Sequence, residues 1–143
     1  MLTDILRPML KSHEGRRLRL YHCPAGKLTI GYGRNIEDNG IYPSEAELML
    51  DNDIKRSIDN CAKHVIGWLK LNEARQAVLA NMAFNMGICG LLKFHKMLGA
   101  VAAGNFNLAA DEMLDSTWAL QVGARARTLA VTMQTGQLDT NNS

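Results

Sequence analysis

Apolar residues recur along this chain with two different periods, and the switches between them predict its architecture. Over residues 4–13, Ile5, Leu6, Met9 and Leu10 fall on one face at helical spacing, with His13 continuing the stripe. Thr3 is placed to cap this helix. Pro8 removes one helical hydrogen bond, so the pattern predicts a kink, or a helix that effectively begins near Arg7. Gly15 offers a C-terminal stop. From Leu18 to Gly33 the period drops to two: Leu18, Leu20, Leu28, Ile30 and Tyr32 alternate with other residues, and Pro24-Ala25-Gly26 stands between as a turn. That is the pattern of a β-hairpin. Gly31 and Gly33 within its second arm point to a bulge or a close backbone approach.

Residues 35–43 read as a polar loop with a turn at Asn39-Gly40. Ser44-Glu45-Ala46-Glu47 then reads as a capping box. Leu50, Ile54, Ile58, Cys61 and Val65 follow at spacings of four, four, three and four, which predicts a long helix. Asn72 is placed to cap the next helix, Glu73 to Met86, which stops at Gly87. Its segment AVLANMAFNM is apolar almost all round and predicts a central, buried helix. Shorter helices are expected from Leu91 to Ala103, Leu108 to Leu114 and Ala124 to Gln134, and a mobile tail at 138–143. The fold class is therefore α+β and predominantly helical, with a small hairpin lobe and a helical lobe.

Composition narrows the partners. Hydrophobic residues make up 47% and charged residues 21% of 143, an ordinary globular balance. The net charge of +2 is too small for a nucleic-acid binder. Its distribution is uneven: Arg7, Lys11, Arg16, Arg17, Arg19, Lys27 and Arg34 face the single acid Glu14 in that stretch. Such a basic third suits an anionic polymer, or is simply a solvated face. Cys23, Cys61 and Cys89 are odd in number and lack CxxC spacing, so neither a disulfide framework nor a zinc site is expected. A reducing cytoplasm is the implied place of synthesis. No apolar run approaches the ~20 residues of a membrane span. Asp4, Arg7 and Lys11 break up any signal-peptide core. His13, His22, His64 and His95 show no metal spacing, and no metal or cofactor is expected.

The chemistry concentrates near the hairpin. Glu14 closes the first helix, where the negative partial charge of a helix C-terminus favours the neutral acid over the carboxylate. Partial burial would act in the same direction. Glu14 is followed by eight residues, Cys23, five residues and Thr29, in the segment EGRRLRLYHCPAGKLTIGYGR. Order, spacing and the flanking EGRRLRLY and TIGYG together resemble the phage-type lysozymes, a glycoside hydrolase family that includes the T-even phage enzyme. RQAVLANMAFNMG and WALQVGARAR extend the resemblance from about residue 5 to residue 137.

The resemblance implies a single lysozyme-like domain over 1–143. A hairpin lobe covers about 14–45, a helical lobe about 1–13 and 67–137, and a linking helix 44–66. It implies Glu14, Cys23 and Thr29 as the catalytic set, with Glu14 as the general acid and Thr29 holding a water. Arg125 would sit beside Glu14. Tyr32 either lines the substrate cleft or packs in the hairpin lobe. Asn85, a polar residue on an apolar helix, is either an amide satisfied by backbone or a partner for sugar N-acetyl groups in the cleft. Position 23 is Asp in better-studied members. Cys23 is then a group that positions or deprotonates water, a covalent nucleophile, or an inert replacement. Residues 33–43 are expected to form only a loop where the best-known member has a helix.

Further implications are a monomeric muramidase acting on bacterial peptidoglycan, accumulating in the host cytoplasm and released to the wall by a holin-type partner, with no membrane insertion. A lytic transglycosylase, a non-catalytic peptidoglycan binder and a helical DNA-binding domain are the competing readings. The low net charge and TIGYG weigh against the last.

Overall fold

A computed structural model describes residues 1–138; of the expected mobile tail, 139–143 lie outside the described residues. The fold is α+β and mostly helical, with one three-stranded antiparallel sheet. It divides into two compact units, residues 1–49 and residues 50 onward.

The first unit opens with α1 (Leu2–Glu14), which runs unbroken through Pro8 and ends at Gly15. The expected late start at Arg7 does not occur. Thr3 lies inside the helix rather than capping it, and the terminal ammonium of Met1 pairs with Asp4 at 3.2 Å instead. Strands β1 (Arg17–His22) and β2 (Leu28–Gly31) form the expected hairpin, pairing Tyr21 with Thr29 and His22 with Leu28. An irregularity between Arg17 and Tyr21 shifts the alternation. Arg17 to Leu20 are exposed on both faces of the strand, Leu18 and Leu20 included.

Residues 33–43 are more than a loop. A short strand β3 (Arg34–Asn35) pairs with β2 and makes it the central strand. A single helical turn α2 (Ile36–Asn39) follows, capped by the Asn35 side chain accepting from the Asp38 N–H. The polar composition that read as loop is the composition of a helix cap and its first turn.

Helix α3 (Pro43–His64) contains the boundary between the units. It begins earlier than Ser44 as cap would require. Proline occupies its first position, where a missing N–H is harmless. The Glu45 carboxylate accepts from the Tyr42 N–H at 2.7 Å. This is the reciprocal half of a capping box, displaced by two residues. Arg34 donates to the same carboxylate and stacks over the Tyr42 ring, tying β3 to the start of α3.

In the second unit a 3₁₀ turn at Trp68–Lys70 leads into α4 (Glu73–Leu92), with Asn72 capping as expected. Gly87 adopts φ 80° and breaks the helix there; the chain resumes helical form to Leu92. The next helix is therefore α5 (His95–Ala102), shorter than the expected 91–103. Helices α6 (Phe106–Leu114) and α8 (Ala124–Thr135) match expectation, but α7 (Thr117–Val122) was not read from the sequence. It has only six residues, too few for periodicity to register, although Ser116 caps it through the Ala119 N–H.

The core gathers Leu79 and Met82 of α4, Met97 of α5, Met113 of α6, Trp118 of α7 and Met133 of α8. α4 is not buried all round: Ala77, Phe84 and Asn85 are exposed. Of the apolar stripe only Cys61 on α3 and Val65 just past its end are buried, while Leu50, Ile54 and Ile58 line a cavity of about 400 Å³.

The ends of the second unit are tied together. Arg75 donates from Nε to the Met133 carbonyl at 2.8 Å and from Nη2 to the Gln134 carbonyl at 3.0 Å. Its guanidinium lies 3.5 Å above the Phe106 ring centroid. The Asn72 amide donates to the Gly136 carbonyl at 2.8 Å. The unfilled carbonyls at the end of α8 are thus met by the start of α4. Among the described residues no single helix is long and apolar enough to cross a membrane.

Candidate active site

Within the first unit, α1 delivers Glu14 to the loop that follows β2. The carboxyl group lies directly against the α-carbon of Gly33: a β-carbon there would stand 2.9 Å from Glu14 Oε2 and 3.3 Å from Cδ. Glu14 is exposed, so the partial burial expected from the sequence is absent.

Thr29 occupies the middle of the sheet, paired with Tyr21 on one side and Asn35 on the other. Among the described residues of the first unit it alone is buried, at 2% exposure. Its hydroxyl donates to the Lys27 carbonyl at 2.9 Å.

Cys23 sits where β1 turns toward β2. Its N–H donates to the Lys27 carbonyl at 3.0 Å, and its carbonyl accepts from the Gly26 N–H at 2.8 Å. This tight turn brings backbone amides around the half-buried sulfur. The Lys27 amide holds the thiol below its ordinary value; partial burial opposes it, and the Ala25 amide and the Thr29 hydroxyl add to the lowering. Thr29 has one proton, so it serves either the carbonyl or the sulfur at any moment, with its lone pairs left as acceptors.

Cys61 is the contrast: fully buried on α3, with its thiol pushed up to about 11 by desolvation. In a Cys89→Ser background, iodoacetamide at neutral pH is expected to alkylate Cys23 and spare Cys61. The Cys23 rate should level off below the ordinary thiol range near ~8.5. Peptide mass mapping against pH checks this, and equal labelling of both thiols would contradict it.

Tyr32 is 43% exposed, with the Lys11 ammonium 5.5 Å from its ring centroid. The other two expected residues belong to the second unit. Arg125 donates to the Asn81 side-chain oxygen from Nε at 3.0 Å and from Nη2 at 2.5 Å. Asn85 is exposed, and its side-chain oxygen accepts from the Trp118 indole at 2.9 Å. Two residues in these contacts were not assigned to the site from sequence. Asn81 carried a legible signal, being an amide inside an apolar helix like Asn85. Gly33 carried half of one: its place in the hairpin arm announced a close approach without naming the partner.

Among the described residues no group of His, Cys, Asp and Glu is arranged to hold a metal ion.

The family model for phage lysozyme matches residues 11–132, and the chain belongs to the phage lysozyme family. It is 32% identical to the pre-baseplate central spike protein Gp5 of Enterobacteria phage T4, over 92% of this chain and 28% of that protein. It is 29% identical to the probable T4-type lysozyme 2 of Dictyostelium discoideum, over 96% of this chain and 98% of that protein. An endolysin of Bacillus phage B103 is 33% identical over 74% of this chain and 41% of its own length. The chain thus spans well under two thirds of the spike protein and nearly all of the Dictyostelium relative.

Proposed function

We propose that this chain is a muramidase that hydrolyses the β-1,4 bond between N-acetylmuramic acid and N-acetylglucosamine in peptidoglycan. The observation that carries the reading is the first unit's own arrangement. The Glu14 carboxyl group is held against Gly33, while Cys23 and Thr29 meet at the Lys27 turn of the same sheet.

Glycoside hydrolysis needs a proton for the leaving oxygen and a nucleophile for the anomeric carbon. Glu14 as the neutral acid gives its proton to the glycosidic oxygen as the C1–O bond breaks. A water oxygen bonds to C1 and passes its proton to the Cys23 thiolate, which the surrounding amides stabilise. Solvent then returns a proton to Glu14 and takes one from Cys23. Thr29 is deeply buried; while its proton serves the Lys27 carbonyl a lone pair of its hydroxyl can accept from the water, and when that proton turns to the sulfur it stabilises the thiolate. The resemblance assigns Arg125 a supporting part in the reaction, and Tyr32 and Asn85 are assigned to sugar binding. No cofactor takes part.

In biological terms the protein acts as a monomeric endolysin. It accumulates in the bacterial cytoplasm, without membrane insertion or nucleic-acid binding, and reaches the wall through a holin-type lesion to lyse the host.

Purified wild type incubated with peptidoglycan is expected to yield muropeptides with hydrolysed reducing ends, one water heavier than anhydro products. Anhydro ends would make it a lytic transglycosylase. Binding without any cleavage would leave a wall-binding relative, a reading to which Cys23 in place of Asp lends its weight. Cys23→Ser separates the roles of the thiol: a loss of about ten- to a hundredfold fits water activation. Complete loss, with a glycosyl adduct on Cys23 in the wild type, would mean a covalent nucleophile.

A further inference from the structure

The strand arm TIGYG carries two glycines at positive φ, and they differ in one respect. Gly31 has φ +71° and Gly33 has φ +78°, so a side chain at either strains the backbone to a similar degree. Around Gly31 an added β-carbon would meet nothing within 4 Å. At Gly33 it would stand 2.9 Å from Oε2, 3.3 Å from Cδ and 3.5 Å from Cγ of Glu14. Three consecutive atoms of the acid therefore lie over the bare α-carbon.

We infer that Gly33 is a positioning residue for Glu14: its missing side chain is the seat on which the acid's carboxyl group rests. The proposal builds on the muramidase reading and adds a determinant outside its catalytic set. The atoms that a methyl group would strike are the far end of a flexible side chain, not backbone. Glu14 can swing away at little cost to folding, because it and Gly33 are both exposed and their contact lies at the surface. Proton donation cannot tolerate the same movement. A reacting group displaced by ~1 Å can lose on the order of a hundredfold in rate. Stability and activity are therefore expected to separate at Gly33 and not at Gly31.

The test compares Gly33→Ala with Gly31→Ala in three measurements: thermal unfolding, kcat and KM on peptidoglycan, and the ¹³C signal of the Glu14 side-chain carboxyl. Both variants should unfold at similar temperatures, since they share the backbone strain. Gly33→Ala should lose about thirty- to a hundredfold in kcat with KM nearly unchanged. Gly31→Ala should keep kcat within about threefold once corrected for the folded fraction. The Glu14 carboxyl signal should move in Gly33→Ala alone. Equal losses in the two variants, or an unmoved Glu14 signal in Gly33→Ala, would overturn the proposal. Should the wild type cleave nothing, the NMR comparison still decides the seat, and only the muramidase reading falls. If Gly33→Ala does not fold while Gly31→Ala does, Glu14→Ala/Gly33→Ala is made. Recovered folding would support the contact, and persistent misfolding would refute it.

Discussion

Glu14→Gln is expected to abolish clearing of outer-membrane-permeabilised bacteria while leaving the fold and wall binding in place. The substitution keeps the shape of the side chain and removes the one proton the reaction draws on. General acids in enzymes are worth about 10²–10⁴-fold, and a loss in that range is expected in kcat/KM. The change should appear in kcat rather than KM, because the proton is needed only as the bond breaks. Glu14 is exposed and makes no buried contact, so the melting temperature should hardly change. Sedimentation with purified peptidoglycan gives the binding control. Retained clearing by Glu14→Gln would remove Glu14 from its assigned role, whatever the family membership.

The largest effect on stability is expected from Leu79→Ala. Leu79 is fully buried at the centre of the second unit's core, on the face of α4 that also carries Val78 and Met82. Its truncation removes apolar contact and leaves a void that surrounding helices fill only in part. Substitutions of this kind cost about 2–5 kcal/mol. That is a large share of a typical folding free energy of ~5–15 kcal/mol. Urea unfolding followed by circular dichroism should show a lower midpoint with an unchanged slope. A variant within about 1 kcal/mol of wild type would mean that the core collapses around the gap.

Much of this molecule could be read from its residues, and the failures have physical causes. The hairpin, the long helix and the cap at Asn72 were legible because each rests on local chemistry: alternation, spacing, or a side-chain oxygen near free amides. β3 and α2 were missed because polar caps and polar loops have the same composition. The start of α3 was misplaced because Ser44 to Glu47 fits the capping-box pattern, whereas the helix begins at Pro43 and uses only the Glu45 half of such a box, from a Tyr42 that the pattern does not recognise.

The site divides in the same way. Glu14, Cys23 and Thr29 were assigned through the resemblance to a family motif, whose order and spacing are visible in one dimension. That Thr29 is buried and bonded to Lys27, or that Glu14 rests on Gly33, depends on contacts across the sheet and the turn. Cys23 shows the limit most clearly. The residue types around it do not announce the backbone amides of Lys27 and Ala25 that hold its thiol below the ordinary value.

The clasp formed by Asn72 and Arg75 also bears on the order in which the protein is made. Their acceptors are the carbonyls of residues 133, 134 and 136, some sixty residues downstream. While a ribosome is still short of residue 136, the start of α4 has been made without the full set of its acceptors. The second unit therefore cannot close during most of its own synthesis, although domains commonly begin to fold as they emerge. Its folding waits on contacts between distant parts of the chain, the kind that close slowly. A nascent chain stalled within α8 would remain open to proteases and chaperones, and one released past residue 136 would close.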